Sequence, residues 1–306
     1  MFCGLTTALE IIGAISLVLI VAKFVFWILK HFTKPSDAVL KKLASKGSWA
    51  VVTGASDGIG KAYAITLAKK GFNVFLLSRT LSKLEDVAKQ VESYGVESKV
   101  MSVDFIAADK EVYTNIENEI KSLGNVRVLV NNVGVNYSFP NHFLEESGET
   151  DEKLIKVNIG ATNTMTRIVL PMMVEQKKGA IVNLSSMAGR IPTPMLAVYS
   201  GTKAYIDYFS KCLAQEYKNQ GIVVQSVTPG MVVSNMSKIR KTGLMVTSPE
   251  LIATRSLGRL GCEYELSPFH THGIINYLLN VAPLSVTMGY LHNMNKATQK
   301  RALRKR

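Results

Sequence analysis

From Trp49 onward, short apolar runs alternate with segments of helical length and period. WAVVTG (49–54), NVFLLS (73–78), SKVMSVD (98–104), VRVLVNN (126–132), GAIVNLS (179–185) and GIVVQSV (221–227) are rich in β-branched residues and nearly continuously apolar. Strands covered on both faces read this way. Between them, Gly60–Lys70, Leu81–Tyr94 and Lys110–Leu123 have helical length and period. Such alternation implies right-handed crossovers and a doubly wound parallel α/β sheet, here over residues 48–272. Ligands of such sheets bind beyond the carboxyl ends of the strands. A seventh strand is uncertain, because ELSPF (265–269) places Pro268 where it would run.

The strand ends carry the chemistry-bearing residues. TGASDGIG, Thr53 to Gly60, follows the first strand and opens a helix. Its glycines allow a pyrophosphate to approach the backbone, and the helix N-terminus offers free N–H groups. The second strand ends in Ser78-Arg79, with Lys83 one turn on. An acid there would bind a ribose diol; a small hydroxyl and an arginine suit a 2′-phosphate, and so NADPH rather than NADH. The fourth strand ends in Asn131-Asn132-Val133-Gly134, two amides that need partners if buried. LSS (184–186) ends the fifth, thirteen residues before Tyr199. YSGTK (199–203) puts Tyr199 and Lys203 on one helical face. Asn158, in KVNIGA, sits inside an expected long helix, where asparagine is disfavoured without a partner or a task.

The formal net charge is +13, which points to an anionic partner. Lys30, Lys34, Lys41, Lys42 and Lys46 follow an apolar segment with only Asp37 against them. Lys296, Lys300, Arg301, Arg304, Lys305 and Arg306 end the sequence without an acid. Flanking apolar stretches as they do, these clusters favour a membrane surface, or a solubilising tail for the last few, over nucleic acid, for which there is no motif. Cys3, Cys212 and Cys262 have no disulfide or metal-ligand spacing. Residues 11–29, IIGAISLVLIVAKFVFWIL, carry one charge, Lys23. They are long enough to span a bilayer as a helix of ~30 Å. Trp27, Lys30 and His31 suit its downstream interface, and the lysines that follow place the remainder in the cytosol. The expected organisation is therefore a tail (1–10), a transmembrane helix (11–30), a basic linker (31–47), the sheet domain (48–272) and an apolar segment with a basic tail (273–306). Gly273–Leu291 is apolar but carries Asn276, Asn280 and Pro283. It reads as an interfacial or re-entrant anchor, part of a substrate tunnel, or core.

Taken together, TGxxxGIG, NNxG, Asn158, Ser186 and YxxxK resemble the short-chain dehydrogenase/reductase superfamily over roughly residues 48–235. The resemblance implies a single Rossmann-like catalytic domain. It implies catalytic roles for Asn158, Ser186, Tyr199 and Lys203. Ser186 would orient a carbonyl, Tyr199 would protonate it, and Lys203 would lower the tyrosine pKa and hold the nicotinamide ribose. Asn158 would position a relay water. Cofactor contacts are implied at Gly54, Ser56, Asp57, Gly58, Ile59, Gly60, Asn131, Asn132 and Gly134. Asp104 would meet adenine, and Pro229, Gly230, Val232 and Ser234 the nicotinamide. NNVG departs from the commoner NNAG.

Within the superfamily, GSWAVVTGASDGIGKAYA, LVNNVG, LPMMVEQKKGAIVNLSS and HNMNKATQ, with the N-terminal apolar helix, are similar to the microsomal very-long-chain 3-oxoacyl-CoA reductases, close relatives of 17-beta-hydroxysteroid dehydrogenases. That similarity implies NADPH-dependent reduction of a long-chain acyl-CoA ketone in fatty-acid elongation. It also implies the endoplasmic reticulum membrane, a cytosolic catalytic domain and possible elongase partners. The terminal ALRKR departs from the dilysine signal common in that family, which leaves retention to the membrane segments or a complex. The apolar Met231–Leu244 and 273–291 regions could receive the acyl chain. Lys238, Arg240 and Lys241 could meet CoA phosphates or lipid headgroups, or form a solvated loop. A steroid or retinoid oxidoreductase would use the same tetrad; a non-catalytic membrane scaffold would be expected to have lost a member of it.

Overall fold

The computed structural model describes residues 2–32 and 36–304. They form two compact units that divide between Pro35 and Ser36. The first holds a single helix, α1 (Phe2–Phe32). Every described side chain from Leu9 to Val25 is exposed. Among the described residues no helix is long and apolar enough to cross a membrane, so the helical conformation is established and the spanning role is not. The side chains of Lys23, Trp27, Lys30 and His31, expected at its lower half and interface, lie outside the described ones.

The second unit opens with α2 (Ala38–Leu43). Six of the expected strands are present: β1 (Trp49–Thr53), β2 (Asn73–Ser78), β3 (Ser98–Ser102), β4 (Val126–Asn131), β5 (Gly179–Leu184) and β6 (Ile222–Val227). The first crossovers are α3 (Gly58–Ala68), α4 (Leu81–Glu92) and α5 (Lys110–Leu123). Next come α6 (Gly148–Leu154), α7 (Thr162–Glu175) and α8 (Ala197–Glu216). A two-stranded ribbon, β7 (Met231–Val232) with β8 (Val246–Thr247), follows β6 and leads into α9 (Pro249–Leu257). The strand β9 (Glu265–Leu266), α10 (His270–Val281) and α11 (Leu284–Leu303) complete the unit. The main sheet is parallel, in the order β3-β2-β1-β4-β5-β6-β9. Alternate residues serve opposite faces. Ala50, Val52, Val74, Leu76, Val128 and Val130 pack under α2, α3, α4 and α9. Val51, Phe75, Leu77, Leu129 and Ile181 pack under α5, α7 and α8. Both faces being covered explains why the strands read as unbroken apolar runs.

The structure resolves three expectations. The seventh strand exists but pairs only Ser226↔Glu265 and Val227↔Leu266. It is complete before Pro268, so no ladder donor is lost to the proline. Asn158 lies not in a regular α-helix but in a π-helical turn, Ile155–Ala161, between α6 and α7. The Asn158 side chain bonds outward to the Val135 backbone, and Thr162 Oγ1 donates to the Asn158 carbonyl at 2.9 Å; such turns recur at functional sites. Residues 273–291 form most of α10 and the start of α11, interrupted at Pro283. The domain boundary expected at 272 therefore falls inside α10, and the compact unit runs from Ser36 to the C-terminal helix.

So short an edge strand needs a tether. Glu265 supplies one, reaching Arg190 and, at 2.8 Å, Lys211. Both cations also flank the buried Asp207, which accepts from Ser226 Oγ on β6 at 2.8 Å. Removing one partner from such a partly buried cluster leaves charge uncompensated. Glu265→Ala is expected to cost about 2 kcal/mol and to lower Tm by roughly 4–8 °C, read by thermal unfolding.

Candidate active site

The site begins with a knot at the ends of β1 and β4. Thr53 Oγ1 donates to the Val130 carbonyl at 3.2 Å and accepts the N–H groups of Asn132 and Val133, each at 3.0 Å. Asn132 Nδ2 donates to the carbonyls of Thr53 (3.0 Å) and Gly54 (3.1 Å). The glycine-rich turn is thus pinned by the neighbouring strand. A Cβ on Gly60 would lie 2.2 Å from the Gly54 carbonyl oxygen and 2.4 Å from Asn132 Nδ2, so only glycine fits. The first turn of α3 then points its free N–H groups into a cleft.

That cleft, of 370 Å³, is lined by Gly54, Ser56, Asp57, Gly58, Ile59, Arg79, Lys83, Asp104, Asn132, Gly134 and Ser234. All are among the residues expected to hold a dinucleotide. Ser56 Oγ lies 2.8 Å from Ser78 Oγ, and Arg79 and Lys83 are exposed at the rim. No carboxylate stands at the end of β2. These residues fit a nicotinamide dinucleotide: pinned glycines, a helix N-terminus and cations at the ribose end. Asn131 is a correction. It is buried, and its Nδ2 donates to Thr166 Oγ1 (3.0 Å) and Asn183 Oδ1 (2.9 Å) inside the core. It braces β4 against β5 and α7 and does not line the cleft.

A second cavity of 390 Å³ adjoins the first and contains Ser186, Tyr199, Lys203, Pro229, Gly230 and Val232. Tyr199 and Lys203 project from one face of α8, with Lys203 Nζ 5.8 Å from the Tyr199 ring centroid. Ser186 Oγ accepts the Ala188 N–H at 3.2 Å and hydrogen-bonds the Tyr199 hydroxyl. Lys203 is buried, and its Nζ donates to the Leu184 carbonyl at 2.8 Å. A Cβ on Gly134 would come within 3.2 Å of Asn158 Oδ1 and 3.5 Å of that Nζ, so Gly134 packs directly against both side chains.

Two roles differ from expectation. The phenol of Tyr199 is pushed above its usual range by burial, with the Ser186 hydrogen bond opposing. Lys203 does not set that direction; burial drops its own pKa to about 8. A raised phenol is a fully protonated donor at neutral pH. Asn158 does not reach the cavity. Its Oδ1 accepts the Val135 N–H at 2.8 Å, and its Nδ2 donates to the Val135 carbonyl and Thr202 Oγ1, each at 3.1 Å. Its side chain positions the strand-four loop against α8.

The apolar wall of this cavity comes from Met187, Met231, Met236, Met245, Ile275, Leu279, Tyr290, Leu291 and Met294. Of 273–291, Ile275, Leu279, Tyr290 and Leu291 line this cavity, while Ile274, Leu278, Val281, Leu284 and Val286 are exposed apolar side chains. His272 joins this wall although nothing in the sequence around it marks it. It is buried, and its Nδ1 accepts the Gly230 N–H at 3.1 Å while Nε2 faces the Met245 carbonyl at 3.1 Å. The first contact requires Nδ1 unprotonated, so Nε2 carries the hydrogen. Burial holds the ring neutral by lowering its pKa. His272 thereby clamps the loop after β6 to the end of the 231–245 segment.

A pinned glycine turn before a helix and a Ser-Tyr-Lys wall across the same cleft define a nucleotide-dependent oxidoreductase. Residues 48–243 match the short chain dehydrogenase family, and the chain belongs to it. It is similar to a very-long-chain 3-oxoacyl-CoA reductase of Anas platyrhynchos, 44% identical over 85% of this chain and 84% of that one. A protein of the same description from Coprinopsis cinerea is 38% identical and covers 98% of this chain and 91% of its own length. Among solved structures, a short-chain dehydrogenase from Sphingobium yanoikuyae in complex with NADPH aligns with a TM-score of 0.66. It is 26% identical, covering 76% of this chain and 93% of that one.

Burying the Lys203 ammonium opposes folding. With a folded pKa of about 8 against an ordinary 10.5, the folded state carries a desolvated charge below pH 8. Between those values the unfolded chain holds the extra proton, so stability rises with pH. In the cofactor-free protein, Lys203→Met is expected to raise stability at pH 7 by about 2–3 kcal/mol while abolishing turnover. The advantage should shrink as pH climbs past 8, read by urea unfolding across a pH series.

Proposed function

We propose that this protein reduces long- and very-long-chain 3-oxoacyl-CoA to 3-hydroxyacyl-CoA with NADPH. The observation that carries the reading is the apolar cavity walled by Ile275, Leu279, Leu291 and Met294, which opens onto Tyr199 and Ser186. Similarity across most of the chain to proteins described as 3-oxoacyl-CoA reductases supports it. The bound cofactor supplies a hydride to the ketone carbon. Ser186, whose Oγ accepts the Ala188 N–H, turns its hydroxyl hydrogen from the Tyr199 oxygen to the ketone oxygen when substrate enters. Tyr199, protonated at neutral pH, gives that oxygen its proton as the alkoxide develops. Lys203, held by the Leu184 carbonyl, presents its remaining N–H donors to the ribose and phenol side of the cleft. Asn158 ties the Val135 loop to Thr202 beside Lys203, and Asn132 holds the glycine-rich turn.

NADPH in preference to NADH rests on Arg79 and Lys83 at the ribose end of the cleft. The exposed apolar side chains of α1, from Leu9 to Val25, suit a hydrocarbon environment. They support a membrane anchor, with the catalytic unit on the side of the basic residues that follow. An acyl-CoA reductase so anchored belongs with membrane fatty-acid elongation at the endoplasmic reticulum, alongside elongase partners.

Detergent-solubilised protein should oxidise NADPH with a long-chain 3-oxoacyl-CoA, and Tyr199→Phe should lose at least ~10²-fold in kcat with cofactor still bound. Turnover of a 17-keto steroid but not the acyl-CoA would move the assignment to a steroid oxidoreductase. Binding of NADPH without turnover of either would favour the scaffold. Arg79→Glu should shift the NADPH-over-NADH preference by about tenfold or more toward NADH, measured as the ratio of kcat/KM values.

A further inference from the structure

A third cavity of the catalytic unit is larger than either of those described. A groove of 970 Å³ runs between α3, α9 and residues 233–242. Lys61, Lys69, Lys70, Arg240 and Lys241 line it, against the acids Asp57 and Glu250. One of those acids is already engaged, since Asn235 Nδ2 hydrogen-bonds Asp57. Three of the cations are also occupied: Lys70 by Asp37, Lys69 over the Tyr94 ring, and Arg240 by Asn235 Oδ1 at 2.8 Å. Lys61 and Lys241 form no ion pair among the described residues. Lys61 is moreover half-buried. Lys238, a near neighbour of Lys241 in sequence, donates instead to the Ser138 carbonyl at 3.3 Å.

Ser234 lines all three cavities. The groove shares Ser234 with the apolar cavity, and Asp57, Gly58, Ser234 and Asn235 with the dinucleotide cleft. A 3-oxoacyl-CoA has three chemically distinct parts: an apolar chain, a ketone beside a thioester, and a nucleotide bearing a diphosphate and a 3′-phosphate. The first two match the apolar cavity and the Ser186–Tyr199 wall. A phosphomonoester carries a charge near −2 at neutral pH, and a cleft lined by unpaired cations concentrates such an anion.

We propose that the groove between α3, α9 and residues 233–242 binds the 3′-phospho-ADP end of coenzyme A, with Lys61 and Lys241 as its phosphate contacts. This rests on the acyl-CoA reading above. Ser234 is then the point past which the pantetheine arm leaves the active site, and residues 233–242 form one wall of the nucleotide's seat.

The test uses full-length protein in detergent and two thioesters of the same 3-oxoacyl chain, one to CoA and one to N-acetylcysteamine. Lys241→Glu lies on an exposed loop, and Lys61→Gln is the milder change in α3. Each should raise KM for the CoA thioester by about tenfold, leaving KM for the N-acetylcysteamine thioester and for NADPH unchanged. Adenosine 3′,5′-bisphosphate should bind the NADPH-saturated protein in calorimetry, and Lys241→Glu should abolish that binding. Equal effects on both thioesters, or bisphosphate that competes with NADPH, would overturn the assignment. So would a variant effect confined to vesicles containing phosphatidylserine and absent in neutral phosphatidylcholine, which would give the groove to lipid headgroups. If wild type turns over neither thioester, the acyl-CoA reading fails, and bisphosphate calorimetry still decides whether the groove takes this nucleotide.

Discussion

The side-chain amide of Asn132 holds two strand ends together, and the rest of the site is arranged around that bond. Its Nδ2 hydrogens bridge the Thr53 and Gly54 carbonyls, and its backbone N–H meets the Thr53 hydroxyl. Those contacts satisfy polar groups that would otherwise be orphaned at the top of a buried parallel sheet. They also place the glycine turn so tightly that Gly60 has no room for a methyl group. From this knot the helix N-terminus, the loop to Gly134 and the opening above Lys203 all take their positions.

Function is set against stability at Lys203. A buried ammonium with one carbonyl partner is a poor stabilising element, and burial alone lowers its pKa to about 8. The same burial raises the Tyr199 phenol, with the Ser186 hydrogen bond opposing. The desolvated pocket therefore costs folding energy at Lys203 and holds the proton more tightly on Tyr199. His272 adds a neutral clamp between the loop after β6 and Met245, joining the reactive wall to the segment that separates the apolar cavity from the basic groove.

Much of this was legible in the sequence, and for a local reason. Continuous apolar runs such as VRVLVNN reflect a sheet covered on both faces, and α5 matched its expected span, Lys110–Leu123. TGASDGIG and YSGTK are short-range arrangements whose geometry follows from one turn or one helix. Other features were misread because they depend on partners distant in the chain. Asn131 and Asn132 are adjacent and chemically identical, yet one braces the core and the other holds the glycine turn, because β4 ends at Asn131 and Asn132 opens the loop beyond it. Asn158, expected to position a relay water, spends its side chain on the Val135 backbone, twenty-three residues away in the chain, and on Thr202.

The sequence by itself determined the class of sheet, the order of the dinucleotide and Ser-Tyr-Lys motifs, and an apolar N-terminal segment, since each is written in local periodicity or spacing. Tertiary structure alone decided that β9 stops short of Pro268, that Ile275, Leu279, Tyr290 and Leu291 wall the apolar cavity, and that His272 clamps the loop. It also decided that Lys61 of α3 and Lys241 of a distant loop share one groove. Those outcomes depend on which surfaces are left to meet once the sheet has closed, and no local pattern records that.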